Sequence, residues 1–126
     1  MKGEPPTGLI RTLPAIYANR RHEACKNYLA AIERMSTDED AHWFVLLPSR
    51  PKTEELLHVY IVIAGKIDHR FTFAGFRDTQ GDATLWDGTI KGGKNVWAIV
   101  AGPAEKPPRE IPYRGFRGFR YTPTLW

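Results

Sequence analysis

The chain has 126 residues, a net charge of +4 and a single cysteine, with 42% hydrophobic and 12% aromatic residues. That content is too apolar for a disordered chain, and the length suits one domain, taken as 1–126. The lone thiol, Cys25, excludes an intramolecular disulfide framework and an all-cysteine zinc site. The longest apolar run, residues 59–64, is far short of the ~20 residues a membrane span needs. The opening Met-Lys-Gly-Glu-Pro-Pro lacks the apolar stretch of a secretory signal. A soluble, cytoplasmic protein is the expectation.

The charge is unevenly placed. Residues 1–88 hold one more acidic than basic side chain, whereas residues 89–126 hold seven basic and two acidic ones. Such a local excess makes a positive surface field if the side chains share a face.

In chain order, residues 1–10, with Gly3, Pro5, Pro6 and Gly8, read as an irregular lead-in. Residues 12–35 read as helical, with Thr12 as N-cap and Pro14 in the first turn. A break is expected near Asn19. Beyond it Cys25, Tyr28, Leu29, Ile32 and Met35 form one apolar stripe at helical spacing, which makes Cys25 a buried, inert thiol. The acidic run 36–40 lacks the alternating ligands and turn glycine of a calcium loop, so a solvated loop or cap is the simpler account.

From His42 the pattern changes to strands. Residues 42–47 form the first, ended by Pro48. A brief helical turn capped by Thr53 is expected at 53–57. Strands 57–64 and 67–76 follow, joined at Gly65-Lys66 in a type II′ turn. After a polar turn at 78–82, strands 84–90 and 95–101 form a second hairpin around Gly92-Gly93. The proline-rich stretch 102–112 should run extended without ladder bonds, and 113–126 should add an edge strand. The fold class is α+β: a helix on a mostly antiparallel sheet of about five strands, with a partial barrel as the alternative.

The turn positions set registers. A tip at Gly65-Lys66 pairs Val62 with His69, Tyr60 with Phe71 and His58 with Phe73, and makes that aromatic face the core against the helix. Val59, Ile61 and Ile63 would then lie on the other face. In this register His58 and His69 are about 13 Å apart, too far to share a metal ion. His22 and His42 have no partner at ligand spacing, so no metal and no cofactor are expected. In the second hairpin Trp97 would cover Gly88, and Lys91 would face Lys94 across the tip. The Lys-Gly-Gly-Lys stretch lacks the context of a phosphate-binding P-loop.

The most unusual segment is 113–121, Tyr-Arg-Gly-Phe-Arg-Gly-Phe-Arg-Tyr. Arginine supplies permanent charge and planar donors for phosphate, and Phe and Tyr supply stacking faces. These are the ingredients of single-stranded nucleic-acid binding, and unstacked RNA is the favoured form. The same residues also suit an irregular segment that wraps the domain with its aromatics tucked into the core. The candidate nucleic-acid contacts are Lys91, Lys94, Arg109, Arg114, Phe116, Arg117, Phe119, Arg120 and Tyr121.

No catalytic set assembles from sequence proximity. Asp68 and His69 are strand neighbours and should point apart. His58, His69 and Arg70 are the weak catalytic candidates, in the manner of a metal-free ribonuclease. The aromatic octamer of RNA-recognition motifs, the Gly-x-x-Gly loop of KH domains and zinc-finger spacings are all absent. The leading expectation is a non-catalytic nucleic-acid-binding domain. One alternative is a protein-interaction module that binds a protein partner or self-associates through an edge strand. The other is a small-molecule or hydrolytic cone or barrel, with a cavity lined by His58, Tyr60, His69 and Trp97.

Overall fold

The computed structural model describes residues 6–35, 37, 42–52, 55–79, 83–84, 90–92 and 95–126. The elements are strand β1 (Gly8–Thr12), a 3-10 helix (Ala15–Ala18), helix α1 (Glu23–Met35), β2 (His42–Leu47), β3 (His58–Ile63), β4 (Lys66–Asp78), β5 (Ala83–Thr84), β6 (Ile90–Lys91), β7 (Val96–Glu105) and β8 (Phe119–Thr122). Six of the strands form one mixed sheet in the order β2-β7-β4-β3-β1-β8, and β5 and β6 pair separately. The sheet keeps two edges, β2 and β8, and does not close into a barrel.

The α+β class holds, with six strands rather than five in the sheet. The extra strand is β1, which the sequence assigned to an irregular lead-in. It lies between β3 and β8 and runs parallel to β3. Leu9 and Ile10 are both fully buried, one on each face of the sheet. A short strand buried on both faces shows no alternation, so periodicity cannot reveal it. Its first residue must be small. A Cβ on Gly8 would lie 2.8 Å from the Tyr60 ring and 3.0 Å from the His58 carbonyl oxygen.

Thr12 ends β1 and caps no helix. The expected break falls at Asn19, whose side-chain oxygen accepts the Arg21 N–H at 3.1 Å. That local bond competes with helical pairing. Helix α1 then starts at Glu23, with the Ala24 N–H donating to His22 Nδ1 at 3.1 Å. Its buried face is Ala24, Cys25, Tyr28, Ala31, Ile32 and Met35, while Leu29 is exposed. Cys25 is buried, and its thiol donates to the Tyr17 carbonyl oxygen at 3.0 Å. Residues 36 and 38–40 of the acidic run lie outside the described residues, as do 53–54, and 55–57 are not helical.

The β3–β4 turn lies one residue earlier than expected. Ile63 pairs with Lys66, so Ala64 and Gly65 make the turn, both at positive φ (53° and 80°). The rule that glycine comes first in such a turn had selected Gly65-Lys66, but here Ala64 takes the left-handed conformation. The register then shifts between Ile61 and Val62, leaving Asp68 as the extra residue of a bulge. Ile61 faces His69, Tyr60 faces Arg70 and Val59 faces Phe71. The bulge thus brings Val59 and Ile61, rather than Tyr60 and Val62, beside His69 and Phe71, which lie on the α1 face as expected. The core under α1 is therefore built on Leu9, Val59, Ile61, Phe71, Ala98 and Val100. Tyr60 and Val62 lie on the opposite face with Ile10 and Ile67, covered by Ile111, Tyr113, Phe116, Leu125 and Trp126.

The expected second hairpin, 84–90 with 95–101, is not seen among the described residues, and 85–89 and 93–94 lie outside them. β7 enters the main sheet between β2 and β4, with Trp97 opposite Leu46 and Arg77. Gly88 and Lys94 lie outside the described residues, and Lys91 pairs with Ala83. β7 also runs through Pro103 to Glu105, into the stretch expected to be unpaired. β8 is an edge strand, as the C-terminal sequence suggested. No helix among the described residues is long and apolar enough to cross a membrane.

Candidate functional site

Between the two edges of the open sheet lies a cleft of about 1070 Å³. Consecutive residues of the edge strand β2, His42 to Leu46, line one side. Arg11 to Pro14, at the end of β1, and Phe116 to Gly118, just before β8, line the other. Tyr17, Tyr28 and Ile61 lie between them, and Arg34, Arg77, Asp78 and Trp97 also line it. The cleft exists because the sheet curls without closing.

Its lining combines four arginines (Arg11, Arg34, Arg77, Arg117) with six aromatic residues (Tyr17, Tyr28, Trp43, Phe44, Trp97, Phe116) and one carboxylate, Asp78. The aromatics interlock edge to face: Tyr17 with Tyr28 at 5.4 Å, Tyr28 with Trp43 at 5.7 Å, and Phe44 with Trp97 at 6.2 Å. The arginines differ in role. Arg11 is largely desolvated, which lowers its pKa, and its guanidinium donates to the Gly118 carbonyl oxygen. It ties β1 to the segment preceding β8. Arg34, Arg77 and Arg117 are exposed, and no ion pair holds them among the described residues. Asp78 faces Arg50 at 3.8 Å.

The sequence-nominated contacts divide. Phe116 and Arg117 line the cleft. Phe116 also packs against the Tyr60 side of the sheet, with the Arg120 guanidinium 4.3 Å from its ring centroid. Phe119 packs against the α1-side core, so the two phenylalanines serve opposite faces. Tyr121 is exposed, and its hydroxyl accepts the Lys52 N–H at 2.8 Å. Arg109 and Arg114 are exposed on the segment between β7 and β8. Lys94 and the side chain of Lys91 lie outside the described residues. The aromatics of 113–121 thus serve mainly to pack the segment down. Only its middle reaches the cleft. The arginines contributed by α1, β1 and β4 have no common sequence signal, because 66 residues separate Arg11 from Arg77.

Tyr28 connects the cleft to a buried polar chain. Its hydroxyl lies 2.7 Å from His69 Nε2, His69 Nδ1 lies 2.7 Å from Asp68 Oδ1, and Lys106 Nζ donates to the same oxygen at 2.9 Å. Asp68 and His69, expected to point apart, meet because the bulge turns Asp68 out of the regular alternation. The hydrogen bond from His69 and the Lys106 ammonium hold the Asp68 carboxyl well below its usual range, so it is ionised and only accepts. Nδ1 must therefore carry the proton. In neutral His69, Nε2 is then the acceptor and the Tyr28 hydroxyl the donor. Burial is the main cause that lowers the His69 pKa, outweighing the opposite pull of Asp68. Burial also raises that of Tyr28, with Asp68 and Tyr17 adding to the rise.

These shifts make stability depend on pH. The unfolded chain takes up a proton on His69 below about pH 6.5, which the folded chain resists. Stability should therefore fall on acidification from about pH 6.5. A further loss should set in below about pH 4 as unfolded Asp68 protonates. Urea unfolding at pH 7.5 and pH 5 should give a lower midpoint at pH 5. His69→Gln should flatten the part of the curve above about pH 5.

The other weak candidates are not brought together with His69. Arg70 lies on the opposite face, where it pairs with Glu105 at 3.1 Å, donates to the Trp126 carbonyl oxygen and stacks 4.6 Å from the Trp126 ring centroid. His58 sits beside Tyr60, with ring centroids 5.9 Å apart. Burial is the main cause of its lowered pKa, and its buried Nδ1 has no hydrogen-bond partner among the described residues. Of the four side chains expected in a cavity, Trp97 lines the cleft while Tyr60 and His69 are buried in the two cores. Among the described residues no group of three His, Cys, Asp or Glu side chains is placed to hold a metal ion.

Fold and site together define a small α+β domain with an open mixed sheet and a basic, aromatic cleft between its edges. Comparison with protein-family models, curated proteins and solved structures finds no match.

Proposed function

We propose that the chain binds single-stranded nucleic acid, RNA by preference, in the cleft between the sheet edges. The observation that carries this reading is the lining: three exposed arginines (Arg34, Arg77, Arg117) and the exposed or half-buried rings of Trp43, Phe44, Trp97 and Phe116, against a single carboxylate. Exposed guanidinium groups neutralise phosphates, and aromatic rings accept unstacked bases at ~1–3 kcal/mol each. An A- or B-form duplex hides those base faces, which is why a single strand fits better. The basic–aromatic C-terminal segment contributes Phe116 and Arg117 to the same cleft, which joins the charge bias of the sequence to the geometry. One buried, free cysteine suits a reducing compartment such as the cytoplasm.

Fluorescence anisotropy with a labelled single-stranded RNA of about 12 nucleotides, at 50 and 200 mM salt, tests this. Expected is micromolar or tighter binding at 50 mM that weakens at least ~10-fold at 200 mM, because phosphate contacts release counterions. An absence of binding at 50 mM rejects the proposal.

A second reading has its own observation: among the described residues, the side of the cleft formed by β2 is an edge of the sheet. An extended acidic peptide could add there as a strand. Such binding would depend far less on aromatic stacking, so replacement of Trp43 and Trp97 by leucine separates the two.

A further inference from the structure

Successive side chains of a strand point to opposite faces of its sheet, and Trp43 and Phe44 of β2 do so. Trp43 lies on the α1 side, opposite Val100 and edge to face with Tyr28, the ring centroids 5.7 Å apart. Phe44 lies on the other side, opposite Ile99, with its ring centroid 6.2 Å from that of Trp97. Arg77 of β4 is directly across from Trp97 and shares its face. Phe44 is 44% exposed, and Trp43 and Trp97 are half-buried. Among the described residues β2 is an edge of the sheet, and its consecutive residues His42 to Leu46 all line the cleft. A cavity lined from both faces of an edge strand passes around that edge. Each side of it carries a ring and an arginine. Arg34 shares a small groove with Trp43 on the α1 side, and Arg77 stands by Trp97 on the other.

Given a strand in the cleft, on which this rests, we propose that β2 is a wedge that splays two successive bases, one onto Trp43 and the next onto the Phe44–Trp97 pair. The sugar-phosphate backbone crosses the edge of β2, with Arg34 and Arg77 at the flanking phosphates. Every base has a π-face, so the rings accept any base, and selection lies in how readily the strand unstacks. Two neighbouring bases must leave each other before they can lie on opposite sides of a sheet. That costs more in oligo-A, whose purines stack strongly, than in oligo-U. The site therefore takes weakly stacked, pyrimidine-rich single strands and discriminates against runs of adenine. A duplex, which holds neighbouring bases in the stack, is excluded.

The test uses the full chain and RNA strands of about 6 nucleotides. Each is oligo-U with one adjacent pair of 2-aminopurines, moved a step at a time along the series. Two stacked 2-aminopurines give an exciton-coupled circular dichroism band outside the protein's own absorption, and the band vanishes when they part. Saturating protein should abolish it in at least one strand of the series. Oligo-U of about 12 nucleotides should compete for the site at least ~10-fold better than oligo-A of the same length. Phe44→Ser, at an exposed ring, and Trp43→Leu should each weaken oligo-U binding about 10-fold and restore part of the band. Leu29→Ser, at an exposed apolar residue outside the cleft lining, should change neither.

Anisotropy on the same strands separates the outcomes. A chain that binds them but leaves the band intact in every one overturns the wedge and leaves the binding reading standing. Equal affinity for oligo-U and oligo-A, or wild-type affinity in Phe44→Ser or Trp43→Leu, also overturns the wedge. A chain that binds no strand overturns both. If Trp43→Leu fails to fold, Phe44→Ser and the band decide.

Discussion

Alanine in place of Tyr60 is expected to destabilise the protein by ~3–5 kcal/mol and to open one side of the cleft. Tyr60 is fully buried on the sheet face away from α1. Its ring packs edge to face on Trp126 at 5.2 Å, and its hydroxyl accepts the Leu125 N–H at 2.9 Å. This contact and the short β1–β8 ladder both hold residues 111–126 on the sheet, together with the Arg11–Gly118 and Arg70–Trp126 hydrogen bonds. The same segment carries Phe116, Arg117 and Gly118 to the cleft, so loss of the anchor should weaken nucleic-acid binding as well. Urea denaturation measures the first effect and anisotropy the second. Tyr60→Phe separates the contributions: removing the hydroxyl alone should cost about 1 kcal/mol and leave binding nearly unchanged. A Tyr60→Ala protein as stable as wild type would contradict the role assigned to the second core.

Reversing two charges, Arg34→Glu with Arg77→Glu, is expected to weaken single-strand binding about 100-fold at low salt. The slope of log affinity against log salt should fall by about 2. Both side chains are exposed on the cleft lining and neither holds an ion pair among the described residues, so the fold should tolerate the change. Arg11 is the wrong choice for this experiment. Its guanidinium is committed to the Gly118 carbonyl oxygen, and its loss would disturb the cleft wall. The informative counterpart is Arg109→Glu with Arg114→Glu, on the exposed segment between β7 and β8. If that pair weakens binding more than the Arg34/Arg77 pair, the C-terminal segment and not the cleft is the principal contact.

The contrast between the two pairs shows which parts of the site were legible in the sequence. The Arg-Gly-Phe repeat is contiguous, so it stands out on reading. It led to Phe116 and Arg117, which line the cleft. Arg34 and Arg77 carry no local signal. One closes an amphipathic helix and the other lies near the end of a long strand, where a charged residue is ordinary. The Asp68–His69 contact was read the wrong way for a physical reason. Regular strand alternation forbids it, and only a bulge permits it. The turn at Ala64-Gly65 was missed for a separate reason: a glycine-first rule passes over its left-handed alanine.

Local interactions determined what the sequence showed by itself. The α+β class, the break at Asn19, the buried thiol of Cys25, strand β2 and the β3–β4 hairpin all depend on residues a few positions apart. Periodicity and turn chemistry report such neighbours directly. Tertiary structure decided the rest: the strand hidden at Gly8–Thr12, the face that each residue of β3 presents, the placement of β7 between β2 and β4, and the cleft itself. Each arises from pairing between distant segments, where the free energy depends on which surfaces are buried together. The cleft is the furthest removed of all. It forms where β2 and the approach to β8, at opposite edges of the sheet, curl toward one another without pairing.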